Sequence, residues 1–239
     1  MIAKAARPAE KTFILSLGGS LIVPNGGIDI NFLKGFEKFI RRKVAQGSRF
    51  FIVTGGGATA RHYIEGASGV CGRRLTDDDR DWLGVHATRL NGHLLRTVFR
   101  DIAYKYFIKH YDLIDKKATS APVVIGVGWK PGWSTDYDAV LLAQDYNIDQ
   151  VINLTSIKMV YDKDPEKFPD AQPVKKIKWN ELIRIVGQEW RPGLNSPFDP
   201  VASQKAKEIG LKVIVCDGRD LDNLDKIIKG EDFIGTIIE

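Results

Sequence analysis

Short, continuous apolar stretches rich in Val, Ile and Phe recur at residues 12–17, 50–54, 122–128, 150–154 and 212–216. Runs of this length without polar alternation belong to strands buried on both faces. Between them the apolar spacing becomes helical. Phe32, Phe36, Phe39, Ile40 and Val44 share one face ahead of Gly47, and Ala139, Leu142, Ala143 and Tyr146 share another after a Ser-Thr-Asp start. Residues 77–99 read as one long helix with Trp82, Val85, Leu90, Leu94 and Val98 on its apolar side, preceded by a polar loop over 69–79. Helices are expected to resume at about Val201 and after Asp220, the last ending near Gly230, where glycine suits a left-handed cap. Proline-rich excursions are expected at 165–173 and 188–200. Alternating strands and helices predict a mainly parallel sheet covered on both faces, with ligand groups gathered where strands run into loops.

Two of these strands run directly into glycine turns. Gly55-Gly56-Gly57 follows the 50–54 run and leads into a helical stretch carrying Arg61, and Gly18-Gly19-Ser20 follows the 12–17 run. A strand, a turn without Cβ atoms and a helix N-terminus together offer backbone amides to an anion, which is the chemistry of a phosphate cradle. A tight turn alone accounts for either glycine cluster just as simply. The chain contains no G-x-x-x-x-G-K-[ST]. Gly126, Gly128 and Gly132 are spaced one residue too widely for a dinucleotide fingerprint, and Pro131 opposes the helix start it needs. A P-loop kinase and a Rossmann dehydrogenase are therefore disfavoured.

Bulk properties narrow the setting without naming a ligand. With 239 residues, 44% of them hydrophobic, the chain can bury a full core as one large domain, and no linker is biased enough to divide it. Cys71 and Cys216 lack companions at metal-ligand spacing, so structural thiols in a reducing, cytoplasmic setting are expected. No stretch approaches the ~20 apolar residues of a membrane span. Residues 1–11 lack an apolar signal core and read as a loose tail. The net charge of +5 is spread among acids, which suits small anionic substrates and does not call for nucleic acid. The run Lys175-Lys176-Ile177-Lys178 reads as a solvated strand edge.

From about Thr12 to Glu239 the order of motifs resembles the amino acid kinase superfamily and, within it, the UMP kinases (uridylate kinases) of the archaeal type. The matching pieces are Leu17-Gly18-Gly19-Ser20, the stretch from Val53 through Gly55-Gly56-Gly57 to Arg61, Asp81 with Arg89-Leu90-Asn91, and Pro131 to Asp136. Val160 to Pro165, Phe198-Asp199-Pro200 and the closing Gly235 to Ile238 complete the series. The resemblance implies a three-layer α/β/α sandwich, a hexamer, and two nucleotide-binding parts: residues 12–145 for UMP and 146–239 for ATP. It implies that ATP and Mg2+ are used and that no membrane or specific nucleic acid is involved.

The resemblance also assigns roles. Gly56, Gly57, Arg61, Asp81 and Thr135 would hold UMP, with Arg61 offering a planar fork to its phosphate. Gly18, Gly19, Ser20, Thr155, Tyr161 and Asp164 would serve ATP, while Asp136 and Asp199 would organise the transfer. Several have plainer readings: Thr135 and Asp136 suit helix caps, Asp81 an exposed charge, Tyr161 a packed aromatic. Departures are also visible. Ser16 stands where most of the superfamily has a lysine, two residues before the paired glycines; Ser156 to Met159 and Tyr137-Asp138 are also unusual. Lys130, just ahead of Thr135, is a candidate to supply the absent charge, or a solvent-facing lysine. A sibling kinase for another small anion and a non-catalytic nucleotide-binding relative remain as alternatives.

Overall fold

The computed structural model describes residues 12–163, 167–187 and 196–239. In chain order its first half contains β1 (Thr12–Leu17), α1 (Gly19–Ile22), α2 (Ile30–Ala45), β2 (Arg49–Thr54), α3 (Gly57–Cys71), α4 (Asp77–Val98), β3 (Val123–Gly126) and α5 (Thr135–Tyr146). There follow β4 (Gln150–Thr155), β5 (Val160–Tyr161), β6 (Pro173–Val174), β7 (Lys176–Ile177), α6 (Trp179–Val186), α7 (Pro200–Glu208), β8 (Lys212–Asp217), α8 (Leu221–Lys229) and β9 (Thr236–Ile238). All five apolar runs are strands. They lie in one sheet of order β3-β2-β1-β4-β8-β9-β7, parallel from β3 to β8, with β9 antiparallel to β8.

The sheet order fixes where a site can form. The chain steps outward from β1 to β3 and then returns to β4 on the other side of β1, so the strand order reverses between β1 and β4. At such a reversal the loops leaving the carboxyl ends of the strands diverge and open a crevice. Period-two alternation sorts the strand residues between two helical layers. Ile14, Phe51, Val53, Val151 and Val213 pack with α5, α6 and α7, while Leu15, Leu17, Ile52, Leu154 and Ile214 pack with α2, α4 and α8. Ser16 shares the parity of Ile14 and faces α5.

The helices begin and end on local signals. Thr76 Oγ1 accepts from the Asp79 amide at 3.1 Å while the Asp79 carboxylate accepts from the Thr76 amide at 3.0 Å, a reciprocal cap that starts α4 at Asp77. Gly230 ends α8 at φ 75°. The expected loop over 69–79 is corrected: α3 continues to Cys71, and a short 3-10 turn at Gly72–Arg74 leads to α4. After its first turn α3 buries no residue in the core, so its small and polar composition looks like a loop while packing along α4 keeps it helical. The lysine run does lie at an edge, where among the described residues β7 pairs only with β9 and Lys175 bridges to Asp232 at 2.6 Å. Both cysteines are free. The tail at 1–11 and most of the 188–200 excursion lie outside the described residues. Among the described residues no helix is long and apolar enough to cross a membrane.

Candidate active site

The glycine turns after β1 and β2 touch each other. A Cβ on Gly19 would overlap the Gly57 amide nitrogen, and one on Gly57, whose φ is +63°, would overlap the Gly19 carbonyl oxygen. The glycines therefore do more than clear a path for a ligand: they let two backbones cross where no side chain fits. Asn91, buried on α4, fixes the turn from the other side. Its Nδ2 donates to Gly55 O at 2.8 Å and Gly56 O at 3.1 Å, so the carbonyls are occupied where α3 begins at Gly57, and the Ala58 amide of that first turn donates to Val23 O at 2.9 Å.

Beside this crossing lies a cavity of about 650 Å³, within the usual range for small-ligand sites. Its floor carries Gly56 and Gly57, and Arg61, Asp81, Thr135 and Ser20 line its sides. The Arg61 guanidinium donates to Asn25 Oδ1 at 2.9 Å. Asp81 is not a loose surface charge: its Oδ2 accepts from the Gly132 amide at 2.6 Å, clamping the loop after β3 to the start of α4. Arg89 and Thr88 strengthen the clamp. Arg89 donates to Gly128 O at 3.2 Å and Trp129 O at 2.9 Å, and the Gly128 amide donates to Thr88 Oγ1 at 2.8 Å.

α5 also opens on the cavity. Its cap is Ser134, whose Oγ accepts from the Tyr137 amide at 3.1 Å, leaving Thr135 as the first helical residue on the cavity wall. Asp136 turns toward β1 instead. Ser16 Oγ donates to its Oδ1 at 3.0 Å and the Asp199 amide donates to its Oδ2 at 3.2 Å. Burial, and then the charge of Asp199, push the Asp136 carboxyl up to about 7 against those two hydrogen bonds. Asp199 caps α7 by accepting from the Ala202 amide at 2.5 Å, while its Oδ2 is buried with no hydrogen bond of full geometry; burial raises its pKa, although the Ala202 and Val201 amides and the Ser134 hydroxyl favour the ionised form. Asp138 is fully buried with neither oxygen in a hydrogen bond of full geometry. Burial raises its pKa well above the ordinary value, although the Trp129 backbone and the Arg89 guanidinium favour the ionised form.

Other expected site residues stand elsewhere. Gly18 closes the β1 turn against β4, donating to Leu154 O at 2.8 Å, and Thr155 Oγ1 accepts from the Ile157 amide at 3.2 Å. Tyr161 is on the small β5–β6 pair, and Asp164 lies outside the described residues. Lys130 is exposed, with its ammonium 4.3 Å from the Trp129 ring centre and 4.4 Å from that of Trp133. In this arrangement it is engaged by aromatic faces and does not line the cavity. Sequence reasoning gave no role to Arg80, Trp133 or Ser134, all on the cavity wall, nor to Asn91, whose work is to hold main chain. Ser134 alone carried a signal, the Ser-Thr-Asp start of a helix.

Comparison with known proteins agrees with this arrangement. Residues 11–217 match the amino acid kinase family. A uridylate kinase of Methanospirillum hungatei is 36% identical over 231 residues, covering 95% of this chain and 94% of the relative. One from Methanobrevibacter smithii is 33% identical over 227 residues, covering 93% and 96%. The crystal structure of uridylate kinase from Archaeoglobus fulgidus superposes with a TM-score of 0.80 at 32% identity, over 96% of this chain and all of that one. With the parallel sheet, the crossed glycine turns and the matched span in agreement, this chain belongs to the amino acid kinase family.

Proposed function

We propose that the protein transfers the γ-phosphoryl group of ATP to UMP, giving UDP and ADP. The observation that carries this reading is the convergence of Gly56, Gly57, Arg61, Asp81 and Thr135 on one cavity at the strand-order reversal, in a chain 31–36% identical to uridylate kinases over most of its length. The acceptor phosphate lies over the Gly56–Gly57 amides with Arg61 as a planar fork beside it. The N-terminus of α5 faces the same point through Thr135. Asp81 holds the loop that walls the nucleoside and leaves Oδ1 for its hydroxyls or base N–H groups. Residues 12–145 thus serve the acceptor. ATP is assigned to the other half, residues 146–239, with Thr155, Tyr161 and Asp164, together with the Gly18-Gly19-Ser20 turn that meets it.

A nucleoside monophosphate is largely dianionic at neutral pH, its second pKa being ~6 by analogy with phosphorylated side chains. No strong general base is then required. The chain's work is to align two anions that repel each other and to shield them from water. The buried Asp199 Oδ2, without a hydrogen bond of full geometry and beside Asp136, fits a divalent cation, which commonly takes one or two carboxylates together with substrate phosphates. When bound, Mg2+ would offset negative charge on the phosphate groups, with Asp136 and Asp199 as the residues to hold it.

A coupled ADP-release assay with UMP, CMP, dUMP and no acceptor tests the reading. UMP-dependent release is expected, and its absence in folded protein removes the kinase assignment. A second reading, nucleotide binding without turnover, is favoured by Ser16 at the first strand and by Lys130 resting on tryptophan rings. Tight nucleotide binding with no ADP release would establish it. The protein is further proposed to be a cytoplasmic homo-oligomer, a hexamer, in support of which α3 and α4 expose Tyr63, Val70, Trp82 and Leu90. Light scattering of the purified protein gives the assembly directly.

A further inference from the structure

Ser16, Asp136 and Asp199 come from three distant parts of the chain and meet at the carboxyl end of the central strand. Ser16 is paired with Val53 of β2 and Asn153 of β4, so it sits at the strand-order reversal. Asn153 Nδ2 donates to Pro197 O at 3.1 Å, which holds the segment ahead of α7 against the sheet and delivers Asp199 to Asp136. Two carboxylates are thereby brought together in a poorly solvated place. The contacts they make among the described residues are the Ser16 and Ser134 hydroxyls and backbone amides, with no ammonium or guanidinium group. Arg89, the nearby guanidinium, bears on Asp138 and is committed to the Gly128 and Trp129 carbonyls.

Helix N-termini help each carboxylate, since Asp136 is in the first turn of α5 and Asp199 caps α7. That help is small beside the cost of burying two like charges together. The under-satisfied atom is also specific. Asp199 is 4% exposed, its Oδ1 is used by the Ala202 amide, and its Oδ2 makes no hydrogen bond of full geometry, the Ser134 hydroxyl and the Val201 amide being its carboxylate's other polar neighbours.

We propose that Asp136 and Asp199, with the Ser16 hydroxyl at their base, form a protein-held site for one divalent cation that fills before any nucleotide arrives. Two carboxylates do not make an all-protein cage, and among the described residues no cluster of three acidic, His or Cys side chains does so either. They do suit Mg2+ or Mn2+, which keeps several waters and later exchanges some for phosphate oxygens. Residue 16 then decides what kind of positive charge occupies this corner. A hydroxyl leaves room for a hydrated ion, whereas a lysine would place its own ammonium there. Use of the ion in phosphoryl transfer rests on the kinase reading, but its binding does not.

The test is titration of nucleotide-free protein with Mn2+, followed by the loss of the free-ion electron paramagnetic resonance signal, with circular dichroism melting as the control for folding. Wild type is expected to bind one Mn2+ per chain, displaceable by Mg2+. Asp136→Asn should weaken it at least tenfold, and Ser16→Lys should abolish it while melting cooperatively. If Asp136→Asn does not fold, Ser16→Lys carries the same comparison. Mn2+ uptake that appears only once nucleotide is added, or that is unchanged in a folded variant, overturns the site. ADP release without nucleotide-free Mn2+ binding would remove this site and leave the kinase reading standing, whereas Mn2+ binding without ADP release would do the reverse.

Discussion

Arg61→Ala should weaken UMP about 30-fold and leave ATP nearly untouched. The side chain is exposed at the cavity edge, one turn into α3, and its guanidinium is already steered by Asn25 Oδ1 at 2.9 Å. Two charge-assisted bonds to a phosphate contribute about 1.5 kcal/mol each at the low end expected for exposed partners. Giving up the bond to Asn25 costs about 1 kcal/mol. The net is about 2 kcal/mol, which at 1.4 kcal/mol per decade corresponds to a ~30-fold change in Kd. Arg61→Lys keeps the charge but not the fork, and should fall between the two at about tenfold. Isothermal titration of each variant with UMP and, separately, with a non-hydrolysable ATP analogue reads both effects. Equal weakening of the two nucleotides would refute the assignment of this cavity to the acceptor, and a UMP change below about threefold would show that the phosphate does not reach Arg61.

Asn91→Ala leaves the Gly55 and Gly56 carbonyls without their buried donor and should cost about 1–3 kcal/mol in urea unfolding while also weakening UMP, although residue 91 touches no ligand; unchanged stability would mean that the glycine crossing holds itself. Asp225 is partly buried, which alone would raise its pKa, but Lys229 at 2.7 Å and Lys43 bring it down to about 2. A carboxyl depressed on folding stabilises above its unfolded pKa of about 4, and that stabilisation disappears as pH falls through about 2. Asp225→Ala should therefore cost about 3 kcal/mol at pH 7, because Lys43 is left buried and unpaired, and the gap to wild type should close as urea melts are repeated toward pH ~2. Lys130→Ala should shift the emission of Trp129 and Trp133 and change turnover by less than about threefold, as expected of a cation held on aromatic faces; a loss of orders of magnitude would restore a phosphate role for this lysine.

Elements with a strong local signature were legible in the sequence. Buried strands announce themselves as unbroken apolar runs, and the long helix at 77–98 by its acidic first turn and its apolar spacing. Elements that depend on a neighbour were not. The two-residue strands β5, β6 and β7 are too short to show a period, and α3 past its first turn looks like a polar loop because it is held by α4 and not by a core face of its own.

The site divides in the same way. The glycine turns and Arg61 could be named because a strand running into glycines and a helix start has local spacing, whereas Asp81 and Thr135 were reached only through the family resemblance. What the glycines do for each other could not, since Gly19 meets Gly57 only when β1 and β2 pair in register. The same holds for Asn91 on the glycine carbonyls, for Asp81 on the Gly132 amide, and for Ser16, Asp136 and Asp199 gathered below them. Local periodicity encodes which face a residue presents, and it carries no information about which distant residue will stand opposite. That was decided by the strand order, which folds the chain outward from β1 and back, bringing the first strand, the α5 start and the α7 cap to one point.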